Sequence, residues 1–399
     1  MDVSPLVWTL TIAAIVALLA FDYVFHVRKA HAPTLKEAAI WSSLYVGMAI
    51  LFGLGVLIVG GATPGAEYFA GYITEKALSV DNLFVFLIIM TSFRVPREDQ
   101  QKVLLFGITF SLIARTGFIF LGAALINSFA WVFYFFGLIL LITAGNMLKP
   151  ESSESRSSEN FMVRIARKIF HTSPDYDGDK LFTVHEGKRA LTPMLLVMVA
   201  IAGTDLLFAL DSIPAIFGLT QNVYIVFTAT AFSLLGLRQL YFLLDGLLDR
   251  LIYLSFGLAS ILAFIGVKLI LHALHENNLP FINGGEKVPV FEISTALSLT
   301  VIIGVLVVTV LASLLSPAGR AQTIIANARR HATNYLDLGY TVDHTERIRV
   351  YTALMREEES LRALRPKYQE LAKDKAGLME LLQAAHLEHD VSVQRAARE

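Results

Sequence analysis

Four carboxylates stand inside apolar stretches of this sequence that are long enough to cross a membrane. Glu75 and Asp81 lie in "EYFAGYITEKALSVDNLFVFLIIM", and Asp205 and Asp211 lie in "TPMLLVMVAIAGTDLLFALDSIPAIF". An ionisable group at the bilayer centre costs roughly 2.5 to 3.5 kcal/mol on insertion scales, so such groups normally face a polar interior and mark a pathway. The four acids therefore predict an ion pathway.

The two acidic segments repeat one another. Each pair of acids has the same six-residue separation, and a small polar residue, Asn82 or Ser212, follows the second acid. The next apolar stretches also correspond, because "FSLIART" and "FSLLGLRQL" each place an arginine, Arg115 or Arg238, after a shared Phe-Ser-Leu. This pattern indicates an internal repeat of two helix units.

Carboxylate, amide and hydroxyl oxygens are hard ligands that suit manganese, magnesium or calcium. Zinc and copper would prefer Cys and His ligands, and the sequence contains no Cys. A compact octahedral site with few waters favours manganese, because magnesium dehydrates reluctantly and calcium takes six to eight oxygens. A divalent cation, Mn²⁺ before Mg²⁺ or Ca²⁺, is therefore the expected ligand, with no tightly bound cofactor. The predicted metal site comprises Glu75, Asp81, Asn82, Asp205, Asp211 and Ser212.

Helix geometry limits how these residues can meet. Six residues advance an ideal α-helix by about 600°, so the two acids of a pair are about 120° apart around it. Residues seven apart nearly coincide, which puts Glu75 with Asn82, and Asp205 with Ser212, on single stripes. Both acids of a unit can contact one ion only if the helix unwinds locally. Pro214 predicts such a break in the second unit, with freed carbonyls as further ligands.

Other charged residues have supporting roles in this interpretation. Arg115 and Arg238 are expected to be counter-ions that hold the acids when the site is empty. Asp22, near one end of the first apolar stretch, is a candidate for the pathway or for a proton route. Lys76 adjoins Glu75 and is expected to pair with an acid on a neighbouring helix or to act as a tethered cation. The competing interpretation is that all these groups pair only to fix helix packing.

The elements that position these residues are membrane helices. Hydrophobic residues make up 55% of the 399 residues and charged residues only 17%, which lies outside the range of a soluble globular domain. Apolar runs of roughly 17 to 25 residues mark transmembrane helices. The predicted fold is an all-α polytopic membrane protein. Nine spans are predicted, at residues 6–25, 39–59, 68–92, 103–126, 130–148, 192–217, 223–244, 251–272 and 293–315.

Lys and Arg orient these spans through the positive-inside rule. They follow the first, third, fifth and seventh spans, whereas the alternate connections carry at most Lys287. The N-terminus is therefore predicted outside the cell membrane and the C-terminus in the cytoplasm. The third and sixth spans then run in opposite directions, so the repeat is inverted, as in many secondary transporters.

Two regions lie outside the predicted spans. In the 151–190 connection, a Ser-rich linker precedes apolar and basic residues at helical spacing, which predict an interfacial helix. The stretch "DYDGDKLFTVHEGKR" matches the acidic positions of a calcium loop but has Lys180 where Gly is needed, so a small hairpin turning near 186–187 is favoured. The transmembrane domain is predicted to end at residue 316, and residues 317–399 are predicted to form a soluble helical tail.

The chain resembles the TerC family of integral membrane proteins. The stretches "EYFAGYITEKALSVDNLFVFLIIMTSFRVP", "TDLLFALDSIPAIFGLTQN" and "LLGLRQLYFLLDG" carry the resemblance, which spans about residues 6–316. That family is associated with tellurium resistance and manganese export and is related to lysine-exporter-like transporters. The resemblance implies manganese export through the four acids. Gly203 and Thr204 stand where many relatives have an acid, and the long tail is an addition to the family pattern.

The residues and the resemblance together predict a divalent metal exporter, not an enzyme, that works by alternating access. Because the sequence has no phosphate-cradling Walker motif, proton antiport is expected, with Glu75 or Asp205 protonated as the metal leaves. The expected partners are the lipid bilayer and the metal ion, without nucleic acid; the tail is expected to bind another copy or a cytoplasmic protein. Two alternatives are a non-transport scaffold in tellurite or metal stress, and a transporter of another cation or an amino acid.

Overall fold

A computed structural model describes residues 3–27, 35–93, 95–129, 131–148, 173, 178, 180–185, 188–244, 251–277, 279–336, 344–369 and 375–396. These residues are almost entirely helical, with one two-stranded hairpin among them. They divide into two compact units. The first unit comprises Met1–Leu243 and Ser255–Leu306, and the second comprises Leu244–Leu254 and Val307–Glu399.

Helices lie at each of the nine predicted spans. They are α1 Pro5–Asp22 with a π-helical extension Tyr23–Val27, α2 Leu35–Gly60, α3 Ala62–Ser92, α4 Arg97–Ser128, α5 Val132–Met147, α6 Pro193–Phe217, α7 Val223–Leu234 with α8 Leu237–Leu244, α9 Leu254–His275 and α10 Thr295–Leu315. Seven segments of the described chain are long and apolar enough to cross a membrane. Of the other two, α5 has 16 residues and α3 carries several charges. The prediction of an all-α polytopic membrane protein is confirmed.

The peripheral helices of the first unit expose apolar side chains. On α2, Leu51 is 69% exposed, and Ile58 and Val59 are each 82% exposed. Because α1 and α2 are hydrophobic on all sides, their exposed faces suit contact with lipid. By contrast, α6 and α7 are the most buried of the candidate spans.

The central packing follows the predicted repeat. α3 packs on α7, and α4 packs on α6; α3 also contacts α6, and α4 also contacts α7. Exchanging α3 with α6 and α4 with α7 converts the α3–α7 contact into the α4–α6 contact and leaves the α3–α6 and α4–α7 contacts unchanged. This is the pattern expected of two helix units related by a pseudo-twofold axis.

The predicted break near Pro214 is wrong. α6 is continuous from Pro193 to Phe217, because a proline in the last turn removes only one backbone hydrogen bond. The interruption lies instead in the seventh span, where Gly236 adopts a φ of 77° between α7 and α8. Glycine adopts this conformation without steric cost, and a Cβ at this position would lie 2.6 Å from Tyr45.

The hairpin predicted near 186–187 is confirmed. β1 Phe182–His185 pairs antiparallel with β2 Lys188–Leu191. The Ser-rich linker, the predicted interfacial helix and the acidic residues of the calcium-loop alternative lie outside the described residues.

The second unit contains the helices of the tail. They are α11 Pro317–Leu336, α12 His344–Ala363, the short α13 Pro366–Gln369 and α14 Lys375–Ala396. α11 packs on α12 and α14, around a core that includes Ile325, Tyr335, Leu354 and Leu382. The helical tail predicted from residue 317 onward is therefore present as a packed bundle.

Candidate metal centre

The buried guanidinium of Arg115 is the centre of the candidate site. Arg115 lies in α4 and is 1% exposed. Its Nε and Nη2 donate to the two carboxylate oxygens of Asp205 on α6, at 3.2 and 3.1 Å, which is a bidentate pair. Its Nη1 donates to Glu75 on α3 and, at 3.0 Å, to Ser212 Oγ on α6. Three helices of the repeat therefore meet at one cation.

The site holds more carboxylate than this guanidinium balances. Asp211 also interacts electrostatically with Arg115 and Glu75. Glu75 is 1% exposed, and its Oε2 has no hydrogen-bond partner among the described residues. Buried charges are normally paired, because an unpaired charge costs several kcal/mol. Three acids around one arginine therefore favour the binding of a further cation or of protons.

The other predicted ligands lie on α3 and α6, the helices that carry Glu75 and Asp205. Because Arg115 contacts both Asp205 and Ser212, these two lie on one face of α6, as their seven-residue spacing predicts. On α3, Asp81 is half-buried and Asn82 is buried. In the part of the chain that the structure describes, no group of three or more His, Asp or Glu surrounds one metal position. A metal ion could take the oxygens of both Glu75 and Asp205 only after Arg115 has moved.

Arg238 forms a second buried cluster and is the counter-ion of a different acid. Its Nε and Nη2 donate to Asp22 at 3.1 and 2.7 Å, and its Nη1 donates to Gln101. Tyr45 and Gln239 also donate to Asp22, each at 3.0 Å. The expectation that Arg238 holds the acids of the repeat is thus corrected: its partner is Asp22.

The interruption between α7 and α8 accounts for this difference. Arg115 comes five residues after Phe110, whereas Arg238 comes six residues after Phe232. The second of these segments contains Gly236, which the first lacks a counterpart for. One extra residue rotates a helix by about 100°, so the second arginine does not have the direction of the first. Gln101, Tyr45 and Gln239 were not predicted from the sequence; only the adjacency of Gln239 to Arg238 could have indicated this cluster.

Lys76 contacts the interrupted helix. Its Nζ donates to the backbone carbonyls of Ser233 at 2.9 Å and Leu235 at 3.4 Å. Carbonyls at a helix C-terminus lack intrahelical partners, and a cation there is also favoured by the helix dipole. The hydrogen-bond partners of Lys76 are therefore the carbonyls at the break, whereas the sequence predicted an acid on a neighbouring helix or a role as a tethered cation.

Comparison with known proteins bears on the whole chain. An uncharacterized membrane protein of Mycobacterium tuberculosis is 59% identical over 394 residues, which cover 98% of this chain and 99% of the relative. An uncharacterized membrane protein of Myxococcus xanthus is 42% identical over 267 residues, covering 67% of this chain and 83% of the relative. An Escherichia coli (strain K12) protein with the name "Putative membrane-bound redox modulator Alx" is 36% identical over 315 residues, which cover 77% of this chain and 93% of the relative. No solved structure matches the chain.

The family comparison covers the centre described above. Residues 60–321 match the integral membrane protein TerC family. This range contains Glu75, Arg115, Asp205 and Ser212, together with most of the helices of the first unit. The chain therefore belongs to the TerC family of integral membrane proteins.

Proposed function

We propose that this protein exports a divalent metal ion, with manganese as the substrate, by alternating access of its two inverted helix units. The charge balance of the centre carries the proposal, because the guanidinium of Arg115 pairs with both Glu75 and Asp205 and a third acid, Asp211, interacts with it electrostatically. A network that served packing alone would match its buried acids and bases. An excess of carboxylate is what a doubly charged ion requires.

Arg115 acts in this proposal as a tethered cation. In the metal-free protein it holds Glu75 and Asp205 together and so limits their repulsion. An entering ion displaces the guanidinium and takes carboxylate oxygens from α3 and α6. Asp81, Asn82 and Ser212 supply further hard oxygens, which suit Mn²⁺. When the ion leaves, Arg115 returns.

Protons are the proposed coupling ion. Glu75 is the proposed acceptor, since its Oε2 has no hydrogen-bond partner among the described residues. Protonation of Glu75 as the metal leaves would reduce the excess negative charge in the empty site. Efflux should therefore depend on the imposed pH gradient, and efflux that is independent of pH would count against proton coupling.

Modulation of redox state is a second candidate function, suggested by the name of the Escherichia coli relative. This sequence contains no Cys, so its own side chains offer no thiol for disulfide exchange. Export of a redox-active transition metal would connect the two functions without a thiol. The alternative to metal export is a scaffold that acts through the tail. This alternative predicts that the buried acids are not needed for function.

The test is manganese transport in membrane vesicles that contain the full-length protein. Asp81→Asn and Asp211→Asn should each reduce transport at least about tenfold, since even outer-shell changes at metal sites cost that much. Glu276→Gln is the matched control, because this exposed acid pairs with Lys287 at 3.3 Å. Unchanged transport in both variants, with normal membrane insertion, would refute the proposal and favour the scaffold.

A further inference from the structure

One face of α4 connects the buried centre with two other regions of the first unit. Gln101, Ile108, Arg115 and Gly122 follow one another at intervals of seven residues. Residues seven apart nearly coincide around an α-helix and are about 10 Å apart along its axis. These four residues therefore form one stripe, which we call the α4 stripe. Arg115, the third of them, holds the acids of the candidate metal centre.

A cavity of ≈ 460 Å³ lies beyond the last residue of the α4 stripe. Phe217, at the end of α6, lines this cavity and packs on the stripe, because a Cβ added at Gly122 would lie 2.9 Å from the Phe217 ring. Gln221 and Glu292 also line the cavity and are exposed, so the cavity reaches the surface. Gly122 is about 10 Å from Arg115 along α4. At this end, little more than one layer of side chains separates the centre from the cavity.

The first residue of the α4 stripe belongs to the Asp22–Arg238 cluster. Arg238 donates to Gln101 and to both carboxylate oxygens of Asp22, and all three side chains are buried. Gln101 is about 21 Å from Arg115 along α4. Ile108, midway between them, is 4% exposed. The α4 stripe is therefore buried from the cluster to the centre.

The charges of this cluster differ from those of the metal centre. One carboxylate matches one guanidinium in a bidentate pair, and Tyr45 and Gln239 donate two further hydrogen bonds to Asp22. The centre, by contrast, has more carboxylate than guanidinium. A matched pair needs no added ion to balance it. The cluster is therefore suited to a contact that forms and breaks, and not to a second ion site.

Irregular helix segments adjoin both partners of the ion pair. The α-helical part of α1 ends at Asp22, and the π-helical segment Tyr23–Val27 follows at once. Arg238 comes two residues after Gly236, at the break between α7 and α8. π-Helical segments are frequent at functional sites, and hinges are commonly a few residues at the ends of elements. The ion pair thus joins two elements that can change direction locally.

The cluster also ties peripheral helices to the repeat. Asp22 and Tyr45 come from α1 and α2, whereas Gln101 and Arg238 come from α4 and α8. A transporter that works by alternating access closes the two ends of its route in turn. In this structure, the end at the cluster is closed and the end at the cavity is the more open one.

We propose that the Asp22–Arg238 ion pair, with Gln101 and Tyr45, is a gate that closes one end of an ion route along the α4 stripe. The inference rests on the proposed function for the existence of this route. The structure then represents the conformation in which the gate is closed. When the gate opens, the ion pair separates, water reaches Ile108, and the route closes at the cavity end.

The test is thiol accessibility in the detergent-purified full-length protein, whose sequence contains no Cys. Ile108→Cys reports the closed segment, and Leu219→Cys reports the cavity, which Leu219 lines. A hydrophilic maleimide should label Ile108→Cys at least about tenfold faster when Asp22→Asn is added, because the buried pair is broken. Leu219→Cys should be labelled more slowly in the same background, because one end closes as the other opens.

Two further variants control for loss of structure. Thr11→Val removes a buried hydrogen bond of 2.8 Å between the hydroxyls of Thr11 and Tyr224, about 16 Å along α1 from Asp22. This matched control should change neither labelling rate. Gln101→Leu keeps the ion pair but removes one partner of Arg238, and it should accelerate labelling of Ile108→Cys less than Asp22→Asn does.

The outcomes separate the gate from the proposed function. Unchanged labelling of Ile108→Cys in both Asp22→Asn and Gln101→Leu would overturn the gate. Faster labelling at both reporter positions would overturn it too, because this result indicates a general loosening of the fold. Labelling needs no metal, so neither result bears on manganese transport. Opposite changes at the two reporters in a protein that transports no manganese would support the gate and assign the route to another substrate.

Discussion

At the residue scale, one guanidinium holds the buried centre together. Arg115→Gln leaves Glu75 and Asp205 without their cation, and breaking a buried pair in this way costs roughly 3–5 kcal/mol. We therefore expect a large loss of thermal stability in detergent-purified protein. The double variant Arg115→Gln/Asp205→Asn removes one acid as well, and it should recover part of this loss because less charge is left unpaired.

The same double variant separates packing from transport. If the centre served packing alone, the double variant should regain function together with stability. The metal-export proposal expects a folded protein without manganese transport, because one ligand carboxylate is gone. Lys287→Gln, which removes an exposed ion pair with Glu276, should change neither property. Recovery of transport in the double variant would contradict the export proposal.

The residues of the centre could be predicted because charge inside an apolar run is costly and therefore informative. This argument identifies Glu75 and Asp205, and the repeat adds Ser212 and Arg115. The partner of Arg238 could not be predicted, since the Gly236 interruption changes its direction and a lone glycine in an apolar run has several explanations. Pro214 predicted a break although the predicted span already ended at residue 217, and a proline in the last turn removes only one backbone hydrogen bond.

At the element scale, the interruption of the seventh span depends on one glycine. Gly236→Ala places a Cβ at positive φ, which costs roughly 1–2 kcal/mol, and sets it 2.6 Å from the Tyr45 side chain. We expect lower thermal stability and a displaced Tyr45, a residue that donates to Asp22. The control is Gly304→Ala in α10, where an added Cβ meets nothing within 4 Å. Equal thermal stability of Gly236→Ala and Gly304→Ala would show that the interruption does not depend on a glycine at residue 236.

The tail bundle contains a polar network that its sequence did not indicate. His386 Nε2 lies 2.7 Å from the Glu358 carboxylate, and its Nδ1 lies 2.8 Å from the hydroxyl of Tyr351. The ring of Tyr351 stacks on His389 at 3.6 Å. These two histidines link α12 to α14.

This network predicts a pH dependence of the bundle. Burial would raise the pKa of Glu358, but the hydrogen bonds from His386 and Arg362 outweigh it and lower this pKa below the ordinary value of 4.5. A lowered pKa in the folded state adds stability above the unfolded value, and this stability is lost as the pH falls through the folded value. Hydrogen exchange of α12 and α14 in the intact protein, corrected for intrinsic rates, should therefore show weaker protection below about pH 4.5.

Glu358→Gln provides the comparison for this pH effect. It should reduce protection at neutral pH by about 1–3 kcal/mol, because a charged hydrogen bond is lost, and it should flatten the acid dependence. Glu359→Gln changes the exposed neighbouring acid and should behave like the unmodified chain. A variant at Glu358 that keeps the full acid dependence would assign the effect to another group.

At the scale of the whole molecule, the contacts among α3, α4, α6 and α7 have the pattern of a twofold repeat; which end of the bundle faces the cytoplasm is a separate question. The positive-inside rule alone places the connection after the fifth span in the cytoplasm and the loop after α9 outside.

The absence of Cys makes this orientation directly measurable. Single variants Glu286→Cys, in the loop after α9, and Ser152→Cys, in the connection after the fifth span, each introduce one thiol. A membrane-impermeant maleimide should label Glu286→Cys in intact cells and Ser152→Cys only after lysis, while the unmodified protein stays unlabelled. The reverse pattern would invert the predicted topology.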